Sequence, residues 1–592
     1  MSSAHDGAAR PQIEPSLTAN ARQVLTARYL RREGGTIVET PAELFTRVAR
    51  YVAAVERNYS GKADAWEDMF YEAMARLEFL PNSPVLMNAG TPMGQLAACF
   101  VLPLDDTLES IFRTLHDSAL IHQTGGGVGY DFSRLRPAGD PVASTGGVSS
   151  GPVSFMHAFD AAVDAVRQGG RRRGANMGVL DVHHPDVETF IRAKEDPARL
   201  RNFNLSVAVD DAFMRAAANG HEIALMNPRT GVVAGRRDAA ALLRLIASCA
   251  WQTGDPGLIF IDRISRDNPT PSLGRITSTN PCGEVPLLPY EACILGSINL
   301  SSLSTTGSFD WGRLDRLAAL GTRFLDDCVD ASVFPLPETA RAAHASRKIG
   351  LGVMGLADAL VDLGIPYDDE QALAFAGAVL SRMASVAADT SRELARDRGA
   401  YPSFESSRDA AAGRPPIRNA TRLAVAPTGT LSLIAGCSSG IEPLYAIAYE
   451  RHVLEGKTLV EVNTQFERRA RERGIWNPAL QAVVVEHGRV RDRDEVPSDL
   501  RRLFPTAHEV SPAWHIRMQA ACQEHVDNAV SKTVNLAADA TVEDVAAAYR
   551  SAFELGCKGV TVYRHGSKGE QVLRPITPTL CGACGGGTPI QS

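Results

Sequence analysis

The sequence predicts an α/β protein built on parallel strands, with a small helical region in front of it. Three observations carry this. From residue 81 onward, short apolar runs of strand character alternate with helical stretches, and strands separated by helices pair in parallel. No Gly/Ser-rich or Pro-rich linker divides residues 81–565, so that body reads as one large domain. Residues 21–80 have helical apolar spacing instead.

Residues 1–20 are polar, with Pro and Gly, and are expected to be disordered. Thr40-Pro41-Ala42-Glu43 has the form of a helix start, with Thr40 as cap, Pro41 at the first helical position and Glu43 at the third. Phe45, Val48, Ala49, Val52 and Val55 continue it at helical spacing. A second helix is expected from near Trp66 to Leu80. The body opens at Pro81-Asn82-Ser83-Pro84. Strands are expected over 96–104, 203–209, 258–261, 297–300, 423–426 and 560–563, and helices over 106–121, 238–253, 314–331 and 370–396. There is no short-period repeat. Residues 566–592 change character, carrying Gly, Pro and Thr with few apolar residues, and are expected to be mobile.

Composition narrows the function. The 44% hydrophobic and 22% charged content is that of a globular protein. The formal net charge of -7 is spread without long runs, which argues against a general nucleic-acid binder. Arg171-Arg172-Arg173 is the one short basic cluster. The first residues lack a secretory signal pattern, and no stretch approaches the roughly 18 apolar residues needed to span a bilayer. A cytoplasmic protein is expected, with no membrane partner. Its ten cysteines then sit in a reducing compartment, where stable disulfides are not expected and chemistry is the better reason to keep a thiol.

Thr279-Asn280-Pro281-Cys282-Gly283-Glu284 places an amide, a thiol and a carboxylate at alternate positions. Pro281 and Gly283 break regular structure, so a loop tip presenting all three side chains is expected. Such a thiol suits nucleophilic, redox or radical chemistry, with the carboxylate as base. The same residues also describe a turn with a buried cysteine. Cys293 and Cys99 each adjoin an apolar run; by themselves they read first as two small apolar residues in a sheet, and as a bridging pair only where their Cα atoms lie within about 7 Å. Pro427-Thr428-Gly429-Thr430-Leu431 lies between a strand and an apolar helical run, where backbone N–H groups can hold phosphate. Asn82-Ser83-Pro84 and Gly125-Gly126-Gly127-Val128-Gly129 invite close backbone approach. None is a Walker loop, and Tyr130 stands where the dinucleotide fingerprint needs its last glycine.

Together, Asn-Pro-Cys-Gly-Glu-x-Pro-Leu, a later cysteine before Gly-Ser-Ile-Asn-Leu, Pro-Asn-Ser-Pro-x-Leu-Met-Asn-Ala-Gly-Thr, Gly-Gly-Arg-Arg-Arg-Gly-Ala-Asn-Met-Gly and Ala-Pro-Thr-Gly-Thr change the picture. The chain resembles the catalytic chain of ribonucleotide reductases, most closely the adenosylcobalamin-dependent class II enzymes, over roughly residues 25–568. The resemblance implies a ten-stranded α/β barrel of two parallel five-stranded halves with a central finger loop. It implies Cys282 as the thiyl-radical residue, Glu284 as base, Asn280 as hydrogen-bonding partner, and Cys99 and Cys293 as the reducing pair. Ser83, Ala98, Gly127, the loop 280–284 and residues Pro427, Thr428, Gly429, Thr430 and Leu431 match substrate-holding positions. Asp106, Gln123, Arg172, Arg173 and the loops 144–150 and 169–176 match an effector region near a dimer interface. The partners so implied are a ribonucleoside diphosphate or triphosphate, a deoxynucleotide or ATP effector, a thioredoxin- or glutaredoxin-type reductant and a second copy of the chain.

Class I relatives draw their radical from a second protein through adjacent tyrosines. Thr561-Val562-Tyr563-Arg564 keeps one tyrosine of that pair, and the glycyl-radical motif is absent. Adenosylcobalamin is therefore the expected cofactor. The alternatives are a chain served by a separate radical-generating subunit and a non-catalytic nucleotide sensor. Asp181-Val182-His183-His184 only superficially resembles the Asp-x-His-x-x-Gly cobalamin signature. The N-terminus looks too short for a separate ATP/dATP switch domain, and no such switch is expected. Cys581 and Cys584 form a single C-x-x-C, which cannot fill a four-coordinate zinc site alone. It reads as a flexible dithiol that re-reduces the Cys99–Cys293 pair, or as the remnant of a zinc module.

Overall fold

The structure, a computed structural model, describes residues 13–59, 61–143, 146–166, 174–452 and 458–567. Three helices lead in: α1 Ala19–Arg28, α2 Pro41–Ala53 and α3 Ala63–Ala75. Thr18 caps α1. Thr40 and Glu43 close the expected capping box on α2, each side chain bonded to the other residue's backbone N–H. The α3 helix does not reach Leu80. Leu77 takes φ +58°, and Phe79–Pro81 runs extended instead, pairing antiparallel with residues 296–298. All three of its residues are buried, so pairing with the barrel overrides helical spacing here.

Five strands, β1 Cys99–Leu102, β2 Gly127–Asp131, β3 Asn176–Asp181, β4 Phe203–Val209 and β5 Gly257–Phe260, pair in parallel in that order. A second parallel set begins with β6 Ala292–Asn299 and β7 Ile349–Met354. It continues through residues 421–426, joined to β7 by the Leu351–Leu423 bridge and to residues 528–536 by the Val425–Val530 bridge. It ends with β8 Thr533–Leu536 against β9 Gly559–Arg564. The sets meet antiparallel at β1–β6 and at β5–β9. The ring closes with ten staves, the barrel of two parallel halves that the family resemblance implied.

The strands missing from the sequence reading, β2, β3, β7 and β8, are glycine-bearing or polar. Glycine is the wall's way of admitting neighbours. A Cβ at Gly352 would stand 2.3 Å from the Ala424 carbonyl oxygen, and one at Gly129 would stand 1.8 Å from the Thr279 carbonyl oxygen. β-propensity is outvoted there by contact distance.

Helices α4 Leu108–Gln123, α5 Ala239–Thr253, α6 Trp311–Ala331 and α7 Glu370–Arg398 run outside the ring close to their expected limits. By length and composition α7 is apolar enough to cross a membrane, contrary to the expectation that no stretch approaches this. Its alanines give it that hydropathy; α7 packs along α6 and the helix Pro512–Gln523. Its last residue, Arg398, enters a buried ion cluster. Glu56, from the N-terminal region, accepts from Arg323 at 2.5 Å and from Arg398 at 2.5 Å, and Arg398 also reaches Asp326 at 3.0 Å and Asp327 at 2.6 Å. The cluster ties the leading helices to α6 and α7.

Gly129→Ala is expected to lower the unfolding free energy by ~3 kcal/mol or more, beyond the usual range for overpacking because the obstacle is backbone. Gly235→Ala, whose Cβ would meet only Arg237 at 3.7 Å, should change it by less than about 0.5 kcal/mol. Urea unfolding of both variants measures the difference.

Candidate active site

Ser278–Thr279 pairs antiparallel with Pro286–Leu287, so residues 278–287 form a hairpin. Its tip is a four-residue turn closed by Gly283 N–H to the Asn280 carbonyl at 3.0 Å, with Pro281 second and Gly283 fourth at φ +83°. The tip is tied to both barrel halves. Asn204 Nδ2 of β4 donates to the Pro281 carbonyl at 2.8 Å, and Ala529 N–H donates to the Glu284 carbonyl at 2.8 Å. On the wall, Gly127 and Gly129 of β2 lie against Pro281 and Thr279. The hairpin therefore crosses the interior as the central finger loop.

The alternating motif now has a geometry. Asn280 turns inward, where Oδ1 accepts from Val285 N–H at 2.9 Å and Nδ2 donates to Cys99 Sγ at 3.1 Å. Cys282 stands at the tip, exposed to cavities on both sides of the hairpin, and Glu284 is buried behind it. Cys99 and Cys293 are directly opposite in the β1–β6 register. Opposed residues on antiparallel strands have Cα atoms about 4.5–5.5 Å apart, within disulfide reach. Both cysteines are buried thiols in one apolar cluster with Val101, Val285, Leu287, Leu295 and Ala424. Burial pushes the Cys293 thiol far up, so it stays protonated.

A cavity of about 350 Å³ holds most of the expected residues: Ser83, Ala98, Cys99, Gly127, Asn280, Pro281, Cys282, Glu284 and 427–431 line it. Gly283 instead faces a second cavity of about 390 Å³, which also reaches Cys282 and is lined by Asn204, Ser206, Gln519, Lys532, Asn535 and Tyr563. Cys293 lies behind Cys99 and lines neither. Thr428 is partly committed: its Oγ1 accepts from Gly440 N–H at 2.8 Å. Burial pushes Tyr445, a neighbour of Tyr563, up to about 12.

Asp106 and Gln123, expected to belong to an effector region, sit elsewhere. Asp106 accepts from Arg136 Nε at 2.7 Å and from its backbone N–H, and Gln123 ends α4 exposed. Neither lines the two cavities. Arg172, Arg173, Cys581 and Cys584 lie outside the described residues. His183 bonds Asp210 and the Ala224 carbonyl, and His184 bonds the Leu135 carbonyl, so both serve local structure. Among the described residues no metal-binding cluster of His, Cys, Asp and Glu occurs.

Four contributors escaped the sequence reading. Arg28, at the end of α1, is the only cation among the described residues lining the first cavity, and Tyr29 beside it bonds Ser83 Oγ at 2.7 Å. Asn204 and Ala529 anchor the fingertip. Nothing local marks any of them; each matters through a chain segment far away in sequence.

A closed α/β barrel enclosing three cysteine thiols and a carboxylate defines an enzyme of thiol chemistry. Comparison with known proteins supplies the family. The ribonucleotide reductase barrel-domain model matches residues 97–414 and 412–563, and the ribonucleotide reductase all-alpha-domain model matches residues 15–94. The vitamin B12-dependent ribonucleoside-diphosphate reductase of Mycobacterium tuberculosis (strain CDC 1551 / Oshkosh) is 53% identical over 568 residues, covering 95% of this chain and 82% of that one. The protein of the same name from Thermoplasma acidophilum is 46% identical over 616 residues, covering 94% and 80%. In fold, the chain is similar to the alpha subunit of the Actinobacillus ureae class Id ribonucleotide reductase, with a TM-score of 0.76, 23% identity, and coverage of 93% and 97%. This chain belongs to the ribonucleotide reductase family.

Asn280→Leu removes the acceptor for Val285 N–H and the donor to Cys99. It is expected to lower the unfolding free energy by ~1–3 kcal/mol, the cost of leaving a buried group unsatisfied. Denaturant titration checks it.

Proposed function

We propose that this protein reduces ribonucleoside diphosphates to 2′-deoxyribonucleotides for DNA synthesis and repair, with adenosylcobalamin as radical source. The observation that carries the reading is the placement of Cys282, Glu284, Asn280 and Cys99 around one cavity, with Cys293 opposed to Cys99. A Cys282 thiyl takes the 3′-hydrogen of the ribose. Glu284 accepts the 3′-hydroxyl proton, and the 2′-hydroxyl leaves as water. Cys99 and Cys293 give up two protons and two electrons and finish as a disulfide, while Cys282 returns its hydrogen to C3′ and Glu284 its proton to the 3′-oxygen, so one ribonucleotide and two thiols yield one deoxynucleotide, one water and one disulfide. Asn280 holds Cys99 by its amide. Ser83, Ala98, Gly127 and 427–431 hold the ribose and phosphates. Substrate in the first cavity and cofactor in the second would cover Cys282 from both sides of the hairpin and keep solvent from the radical.

The second cavity suits the cofactor. Polar groups of Asn204, Ser206 and Asn535 line it, and Gln519 Oε1 is buried there with no hydrogen-bond partner among the described residues. These residues would hold adenosylcobalamin, while the buried Lys532 ammonium beside them is bonded to Glu442 and His515. When bound, the cofactor supplies the radical that removes the Cys282 thiol hydrogen. Asp106, Gln123, Arg172 and Arg173 are assigned to a deoxynucleotide or ATP effector site in a homodimer. A thioredoxin- or glutaredoxin-type dithiol restores the thiols through Cys581 and Cys584. The location proposed is cytoplasmic.

The first test is reduction of all four ribonucleotides with dithiothreitol, with and without adenosylcobalamin. Product only with the cofactor is expected, and Cys282→Ser should abolish it. Product without the cofactor but with a second protein would favour the separate-subunit reading; no product under any effector would remove the enzyme reading. Arg28→Ala should raise KM about tenfold with kcat little changed, the loss of one charge-assisted contact to phosphate. Steady-state kinetics of that variant checks it.

A further inference from the structure

A lysine and a glutamate are buried on the barrel wall behind the reducing pair, where neither touches the substrate cavity. Lys348 Nζ lies 2.5 Å from Glu291 Oε2, with side-chain exposures of 0% and 3%. The same carboxylate oxygen accepts Leu288 N–H at 2.8 Å, which fixes the anion. Ile294 of β6 pairs in parallel with Ile349 of β7, so Cys293 and Lys348 precede that pair side by side on neighbouring strands. Their side chains share a face. A Cβ at Gly350 would lie 3.7 Å from Cys293 Sγ, and Lys348, two residues earlier, projects from that face too. Glu291, two residues before Cys293, closes the turn that leads into β6.

A buried ion pair is weak support for stability, since well-packed apolar residues do as well. Its position suggests another use. We infer that Lys348 is a positioning residue for the Cys99–Cys293 pair, its ammonium anchored by Glu291 so as to stabilise a Cys293 thiolate while the disulfide is being reduced. The inference rests on the reading of Cys99 and Cys293 as the reducing pair.

The step balances. Cys99 lines the substrate cavity and Cys293 does not, so an external dithiol meets the Cys99 sulfur first. One reductant thiolate bonds to Cys99, the Cys99–Cys293 bond breaks, and Cys293 leaves with the electron pair. The second reductant thiol displaces Cys99. The two protons of the dithiol end on Cys99 and Cys293, and the reductant becomes a disulfide. Exchange runs faster when the leaving sulfur is the better thiolate. Cys293 is a poor one by default, because burial pushes it up. Of the charges acting on it, Lys348 is the strongest and favours the thiolate, while Glu284 and Glu291 oppose it. The ammonium offsets the burial that keeps Cys293 protonated as a hydrogen donor in the forward reaction.

The test compares Lys348→Met, Lys348→Arg, Lys348→Met/Glu291→Gln and Cys293→Ser with the parent enzyme loaded with adenosylcobalamin. Prereduced enzyme without reductant reports the first turnover, which consumes the two thiols. Thiol titration then follows their return on adding dithiothreitol, and normalising it to each variant's first-turnover yield separates re-reduction from folding. Lys348→Met should restore its thiols at least tenfold more slowly, Lys348→Arg within about threefold of the parent. The double variant, which loses the weaker opposing carboxylate along with the ammonium, should restore its thiols less slowly than Lys348→Met but still at least about threefold more slowly than the parent. Thiol return within twofold of the parent in Lys348→Met or in the double variant overturns the proposal. Undiminished repeated turnover by Cys293→Ser would instead remove the reducing-pair reading on which it rests.

Discussion

Everything at the centre of this molecule depends on a hairpin lying in backbone contact with the barrel wall. The Thr279 carbonyl occupies the place where a side chain at Gly129 would be, and Pro281 occupies the place of one at Gly127. About eight strands make a barrel just wide enough for its own inward side chains to fill, and ten leave further room inside. Here the glycines withdraw the wall and the hairpin fills the space, bonded to Asn204 on one side and Ala529 on the other. The tip cannot slide without breaking bonds to both halves. Cys282 is thereby held between two cavities, and Asn280 is held against Cys99.

Burial sorts the charges as well as the shapes. The ion cluster of Glu56, Arg323, Asp326, Asp327 and Arg398 joins the N-terminal helices to the barrel. There the arginines hold Asp326 below the usual carboxylate range, against the opposing effect of burial, while burial carries Asp327 above it. The same low-dielectric surroundings keep Cys293 a thiol, which suits a hydrogen donor and hinders disulfide exchange. A cation placed on that wall speaks to the second need without removing the first.

Much of the centre was legible because its chemistry is local in sequence. Asn280, Cys282 and Glu284 sit in six residues whose Pro and Gly demand a turn, and the turn is there. The Thr40 capping box and the apolar faces of α5, α6 and α7 were readable for the same reason: helical spacing repeats every few residues. The strands were readable where they are apolar, as in β4, and hidden where glycine or polar residues replace the usual β-formers, as in β2 and β7. Phe79–Pro81 misled because its apolar residues continue a helical spacing that pairing with β6 overrides.

What the sequence determined by itself was the set of reactive groups and, through the resemblance its motifs carry, the family and the barrel. Propensity, caps and turn chemistry act within a few residues, so they survive in a one-dimensional reading. Only the tertiary structure decided that Cys99 stands opposite Cys293, that Arg28 reaches the cavity beside Cys282, and that Lys348 and Glu291 lie behind the thiol pair. Those relations join residues tens to hundreds of positions apart, and their strength depends on distance and dielectric, which exist only once the ring has closed and water has been excluded.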